Sequence, residues 1–238
     1  MKKLIVLTGL IIAVLSGCAT AEKETGADSY VVRINDTEVS KEEFNIYFYE
    51  TQKGFEEIGG EDIWETDFDG RSAIEVAKDN TLNTLIYIKT AVDKAEKAGI
   101  EISEEERIAA GEAAVAIFRS LDETAKKKIG ASLDDYMSVL EENALYNAVY
   151  NDAVKDYTVS DAEYESYYTS YSEEIIEQYK IYVDSTEPVD EAKAKDYGRV
   201  IYEEYMKQQY FYSESEKWLN DAGIEKNNSL WDEITLIK

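Results

Sequence analysis

The sequence predicts a mostly α-helical fold with two or three short strands, and three observations carry that prediction. Helix-start grammar recurs: Ser40-x-x-Glu43, Ser103-x-x-Glu106, Ser132-x-x-Asp135 and Ser160-x-x-Glu163 each pair a capping hydroxyl with a carboxylate three residues on. Apolar residues recur at helical spacing, as Leu82, Leu85, Ile88, Val92 and Ala95, then Ile108, Val115 and Phe118, then Leu133, Met137, Leu140 and Ala144. Strand-like alternation is scarce, and the chain has one proline.

In chain order, Tyr30 to Ile34 and Thr37 to Val39 flank Asn35-Asp36 and read as a hairpin, because Asn and Asp tolerate the left-handed backbone of a tight turn. The Ser40 start follows directly, with Val39 and Phe44 as a hydrophobic staple. A long helix is expected from about Ser72 to Ala98, ended by Gly99. The Ser103 and Ser132 starts open the next two. Ser160 opens another, stapled by Val159 and Tyr164. Tyr179 to Val183 reads as extended. Pro188 opens a last long helix, Val189 to about Asp221, closed by Gly223, and Leu230 to Leu236 reads as a final strand.

The beginning of the chain has a different grammar. Met1-Lys2-Lys3 and the apolar run Leu4 to Val14 are too short for the roughly 20 residues of a membrane span and read as an export signal. Leu15-Ser16-Gly17-Cys18 resembles the lipobox of bacterial lipoproteins, in which the cysteine sulfur receives a diacylglyceryl group and the bond before it is cut. An ordinary secreted protein with an incidental cysteine is the alternative. Residues 1–17 are thus the signal peptide, and residues 18–29, without apolar period, a flexible tether. Cys18 is the single cysteine, so lipidation leaves no thiol for a disulfide, redox pair or metal site.

Charge and composition exclude several functions. The formal charge is −26, and losing Lys2 and Lys3 with the leader makes it −28. Such a chain repels phosphates, which argues against nucleic acid and against basic-patch adhesion to lipid, so membrane attachment falls to Cys18. With no histidine, the commonest general base and zinc ligand are both missing. No catalytic residue, metal site or cofactor is expected.

Two acidic stretches have plain readings. Glu65 to Val76, "ETDFDGRSAIEV", has Asp67, Asp69 and Gly70 where a calcium loop places ligands and its turn. The twelfth position is Val76, where a bidentate glutamate is required, and Glu75 sits one residue early, which favours a helix-capping loop over calcium. Glu104 to Glu106 complement a helix dipole more simply than they form a carboxylate pair.

The order of these signals resembles the SurA/PrsA-type extracytoplasmic foldases. The resemblance rests on "YVVRINDTEVSKEEFNIYFYE", "LNTLIYIKTAVDKAEKAGIEISEEERIAA" and "LYNAVYNDAVKDYTVSDAEYESYYTSY", covering residues 30 to 171, and on "EEYMKQQYFYSESEKWLNDAGIEKN", similar to the family's C-terminal helix. It implies a SurA N-terminal, trigger-factor-like chaperone fold. In many members a parvulin prolyl isomerase domain, with histidines in its pocket, follows the Tyr-Tyr helix. Here only Glu177 to about Asp196 separates Tyr171 from the last helix. The resemblance therefore implies a member without the isomerase: one helical domain over residues 30–238, with residues 30–171 as its N-terminal part, 172–188 as a bypass and 189–238 as its C-terminal helix and strand.

The tyrosines remain. Tyr164, Tyr167, Tyr168 and Tyr171 recur at helical spacing, as do Tyr197, Ile201, Tyr205 and Tyr212. Core packing is one reading. The other starts from the 19 tyrosines, more than a core wants of a side chain whose hydroxyl needs a partner. Tyrosine offers large contact area and a polar tip, which suits a surface holding varied segments. Tyr164, Tyr167, Tyr168, Tyr171, Tyr205, Phe211 and Tyr212 are accordingly the candidate client-binding residues, with Tyr168 and Phe211 expected to be exposed. The expected partners are unfolded or exported polypeptides, at the outer face of the cytoplasmic membrane of a Gram-positive-type bacterium. An envelope adaptor or a solute-binding lipoprotein with one specific partner is the alternative.

Overall fold

The structure is a computed structural model that describes residues 30–185 and 188–237, so the expected signal peptide, tether and lipidation of Cys18 lie outside the described residues. Eight α-helices and a few short antiparallel strands make up the described chain, as a mostly α fold requires. The chain divides into two compact units. The first is Met1–Thr90, Ser103–Asn143 and Ala222–Lys238; the second is Ala91–Ile102 and Ala144–Asp221.

The first unit is built around a small sheet. Strands β1 (Tyr30–Ile34) and β2 (Thr37–Ser40) form the expected hairpin, with Asn35 at φ 53°, and β5 (Ile224–Lys226) adds to the other side of β1. Arg33 faces Glu38 on one neighbour and Glu225 on the other and pairs with both, at 2.7 and 2.8 Å. The turn and the returning chain are tied by two hydrogen bonds, Asn35 N–H to Gly223 O at 2.7 Å and Gly223 N–H to Asn35 Oδ1 at 3.0 Å. Helix α1 (Lys41–Gly59) packs Phe44, Phe48 and Phe55 into the core with Val31, Val32, Val39 and Leu85.

The remaining helices of this unit start largely as their caps dictate. Helix α2 (Ala73–Ala98) ends at Gly99, φ 68°. Helix α3 (Glu104–Ser120) opens on the Ser103–Glu106 capping box, α4 (Glu123–Ile129) on Asp122, and α5 (Leu133–Val154) on Ser132 and Asp135, each of which accepts a hydrogen bond from the other's N–H. The unit boundary falls within α2 and within α5.

At Ser40 only half the expected box forms. Ser40 Oγ accepts from Glu43 N–H, but the Glu43 carboxylate goes to Lys89 at 2.6 Å, and Glu142 meets the same ammonium at 2.7 Å. Burial alone pulls the Lys89 ammonium down, and the two carboxylates outweigh it, leaving its pKa raised. Burial pushes the Glu43 carboxyl up, against the pull of Lys89.

The expected final strand, Leu230 to Leu236, is not one. The Asn227 side chain accepts from Leu230 N–H and opens α8 (Asn228–Asp232), a local cap that competes with extended backbone. The tail after it is held by buried Gln52, whose amide accepts from Ile237 N–H at 2.8 Å and donates to Ile237 O at 2.9 Å.

The second unit contains the C-terminal turns of α2 and α5, then α6 (Asp161–Tyr182) and α7 (Glu191–Leu219). Its core gathers Ala91, Ala95, Val149 and Val154 around Phe211. Tyr146, Tyr150 and Trp218 meet the Phe211 ring edge-on at 5.7, 5.2 and 5.7 Å. Tyr179 to Val183, expected to be extended, is the end of α6 and its cap, because Tyr179 and Tyr182, three apart, both lie against Tyr197. The segment 172–188 is therefore mostly helix. Asp190, not Pro188, caps α7, accepting from Ala192 N–H and Lys193 N–H.

Candidate functional site

Helices α6 and α7 pack on each other through a kink. Tyr171, at φ −130° and ψ 22°, interrupts α6. Just before it, Thr169 and Ser170 hydroxyls donate to the carbonyls of Glu165 and Ser166, bonds that compete with the backbone ladder and bend helices. The bend lets both halves of α6 reach one point on α7. A Cβ on buried Gly198 would fall 2.6 Å from Ile175 Cγ2 and 2.8 Å from the Tyr164 hydroxyl. Those two residues would stand about 16 Å apart along a straight helix. Ala194 and Gly198, small and one turn apart, leave the room.

Tyrosine rings fill the surroundings. Tyr167 stacks on Tyr202 at 4.2 Å and meets Tyr171 at 4.9 Å. Tyr179, Tyr182 and Tyr197 form a second group, at 4.9 to 6.2 Å. Cations lie on the rings at the α6 start, Lys195 over Tyr168 and Arg199 over Tyr164, and both pair with acids of α6, Glu165 and Asp161.

The candidate residues are thus not equivalent. Tyr171 and Tyr205 are exposed, Tyr205 at 54%. Tyr167, Tyr168 and Tyr212 are half-buried. Tyr164 is buried, its hydroxyl donating to Lys195 O, and burial, followed by the nearby Tyr168 and Glu165, pushes its pKa up to about 12. Phe211 is 2% exposed and central to the core, which corrects the expectation that it faces solvent. The helical stripe on α7 is likewise displaced: Ala194, Gly198 and Phe211 are buried, while Ile201 and Tyr205 are exposed.

Sequence reasoning missed the most exposed apolar residues of this unit. Ile181 and Tyr182, 80% and 64% exposed, end α6, and Val183, Val200 and Ile201 are also open. Reading Tyr179 to Val183 as a strand hid them. The signal lay in the i, i+3 pair Tyr179 and Tyr182, which leaves Ile181 pointing elsewhere.

The acidic loop has its own account. Strands β3 (Asp67–Phe68) and β4 (Arg71–Ser72) close over Asp69 and Gly70, both at positive φ. Asp67 Oδ1 accepts from Gly70 N–H at 2.7 Å, and Glu75 forms a capping box with Ser72 at the start of α2. That Ser72-x-x-Glu75 box lies inside the calcium-like pattern. No helix among the described residues is long and apolar enough to cross a membrane.

The chain is 23% identical over 212 residues to the foldase protein PrsA of Caldanaerobacter subterraneus subsp. tengcongensis. The match takes in 87% of this chain and 62% of the relative, so the chain spans under two thirds of that protein's length. No solved structure matches. The SurA-like N-terminal domain family matches residues 1–126, which ends before α6 and α7 begin. With residues 1–126 of 238 matched, more than half of its length, the chain belongs to the SurA-like N-terminal domain family.

Proposed function

We propose that this chain is a chaperone or foldase-like lipoprotein of the cell envelope that holds unfolded or partly folded exported polypeptides on the surface of α6 and α7. The observation that carries this reading is the open apolar and aromatic set on those helices, Ile181, Tyr182, Val200, Ile201, Tyr171 and Tyr205, in a chain of a family whose relative is named a foldase. Exposed rings and aliphatic side chains over a firm helical pair suit weak, adaptable binding. The reading includes no prolyl isomerase chemistry: the chain has no histidine, and residues 183–190 leave no room for an inserted domain between α6 and α7. It also includes an anchor, a diacylglyceryl group on Cys18 at the outer face of the membrane.

Holding is tested by light scattering while a denatured, unrelated protein is diluted without ATP. The mature chain delays aggregation, and the Ile181→Ser/Tyr182→Ser variant delays it less, with Ile181→Ser alone, which keeps the Tyr182–Tyr197 ring contact, also delaying it less at unchanged melting temperature. No delay by the wild type, or an undiminished one by the variant, overturns the proposal. The anchor is tested separately: Cys18→Ala that is still processed and retained at the membrane removes it.

A further inference from the structure

Between α1 and α2 the chain forms a ledge on the first unit that the proposed function does not use. Gly60 turns the chain at φ 66°, and a 3-10 turn, Glu61–Glu65, leads into the β3–β4 hairpin. Phe55 supports it from beneath: Trp64 stacks on that ring at 5.6 Å and 9°, and Phe68 meets it edge-on at 6.3 Å. Trp64 Nε1–H donates to Glu56 Oε1 at 2.9 Å, and Gln52 holds the same oxygen at 3.0 Å.

This held structure nevertheless presents apolar surface. Ile58, one turn beyond Phe55, is 74% exposed and Phe68 36%. In the same stretch of chain Glu57, Glu61, Asp62, Glu65 and Asp69 are exposed carboxylates, and among the described residues no ion pair engages them. The cations nearby are committed, Lys53 to Glu50 and Arg71 to Asp79.

We propose that the ledge is a docking surface for a cationic, apolar polypeptide segment. Its lysines or arginines would lie on the carboxylate rim and an apolar side chain over Ile58 and Phe68. Charge selects this occupant. A rim of one sign rejects acidic segments, a second copy of this −26 chain included, and attracts basic ones. The ring contacts hold the ledge before anything arrives, so binding costs little ordering there. The calcium-like acidity of this stretch thus acquires a partner of opposite charge.

The test is fluorescence anisotropy with the mature chain and a short labelled peptide of alternating lysine and leucine, beside glutamate–leucine and lysine–serine twins. The lysine–leucine peptide binds about tenfold or more tightly than either twin and weakens as salt rises. Ile58→Ser, which alters a side chain mostly in solvent, weakens binding at unchanged melting temperature, and Phe68→Ser adds to the loss. Glu61→Gln/Asp62→Asn/Glu65→Gln/Asp69→Asn removes most of the salt dependence, with Asn preserving the left-handed backbone at position 69. The Ile181→Ser/Tyr182→Ser variant binds as the wild type does. Absence of lysine–leucine binding overturns the proposal, as does binding indifferent to Ile58→Ser. Loss of binding in the Ile181→Ser/Tyr182→Ser variant also overturns it, and moves the site to α6 while leaving the holding function intact.

Discussion

The two units use different aromatic residues. Five of the six phenylalanines lie in the first unit, where Phe44, Phe48 and Phe55 are buried, and Phe211 is the sixth. Fourteen of the 19 tyrosines lie in the second, the other five being Tyr30, Tyr47, Tyr49, Tyr87 and Tyr136. A phenylalanine can be enclosed on every side, whereas each tyrosine brings a hydroxyl that needs a partner or water. Tyr47 finds Asn143 and Tyr164 finds the Lys195 carbonyl, but Tyr150 buries its hydroxyl with none. A tyrosine-rich unit therefore keeps many rings at or near its surface, Tyr171, Tyr182, Tyr205 and Tyr210 among them. The phenylalanine-rich unit also buries polar side chains, and two of them are fixed by specific partners, Gln52 by the tail at Ile237 and Lys89 by Glu43 and Glu142.

The sharpest way to break this comparison is at the second unit's single phenylalanine. Phe211→Ala removes the ring on which Tyr146, Tyr150 and Trp218 converge and should cost about 3–5 kcal/mol in urea unfolding. A loss below about 1 kcal/mol would show that the tyrosines, not Phe211, carry that core.

In the first unit the matching test is electrostatic. Lys89→Met strands Glu43 and Glu142 beside each other and should cost about 3–5 kcal/mol near neutral pH, less in acid where the carboxyls protonate. Glu43→Gln leaves one cation with one carboxylate and should be close to neutral. Because burial raises the Glu43 carboxyl pKa, its contribution is present below the ordinary glutamate value and is lost as pH rises through the folded value. Glu43→Gln should flatten the stability profile in that window, and an unchanged profile would place the effect on another group.

The smallest expected effect separates tyrosine from phenylalanine directly. Tyr150→Phe deletes a hydroxyl that is buried without a partner, so it should leave stability unchanged or raise it by up to about 1 kcal/mol. A measurable loss in thermal unfolding would mean that the hydroxyl has a partner in solution.

Much of the fold was legible because it is local. A hydroxyl and a carboxylate three residues apart satisfy the first N–H groups of a helix wherever it lies, so the starts at Ser103, Ser132 and Ser160 and the Asn35–Asp36 turn could be read directly. The site was less legible. Tyrosines at helical spacing announced an aromatic surface, but not which rings face out, since that depends on where the partner helix lies. Ala194 and Gly198 mark the packed face of α7 and are too small to register in a hydrophobic pattern.

The sequence by itself determined the helical class, the caps at Ser40, Ser103, Ser132 and Ser160, the acidic character and the concentration of tyrosine toward the C-terminal half. Each follows from residue type and short-range spacing. Tertiary structure alone decided that Glu43 leaves its capping box for Lys89, that Gln52 holds the tail at Ile237 and that Phe211 is enclosed while Tyr182 is not. The physical reason is common to all three. A side chain's final partner is set by which groups lose access to water together, and residues 43 and 89, or 52 and 237, share that fate only once the chain has folded.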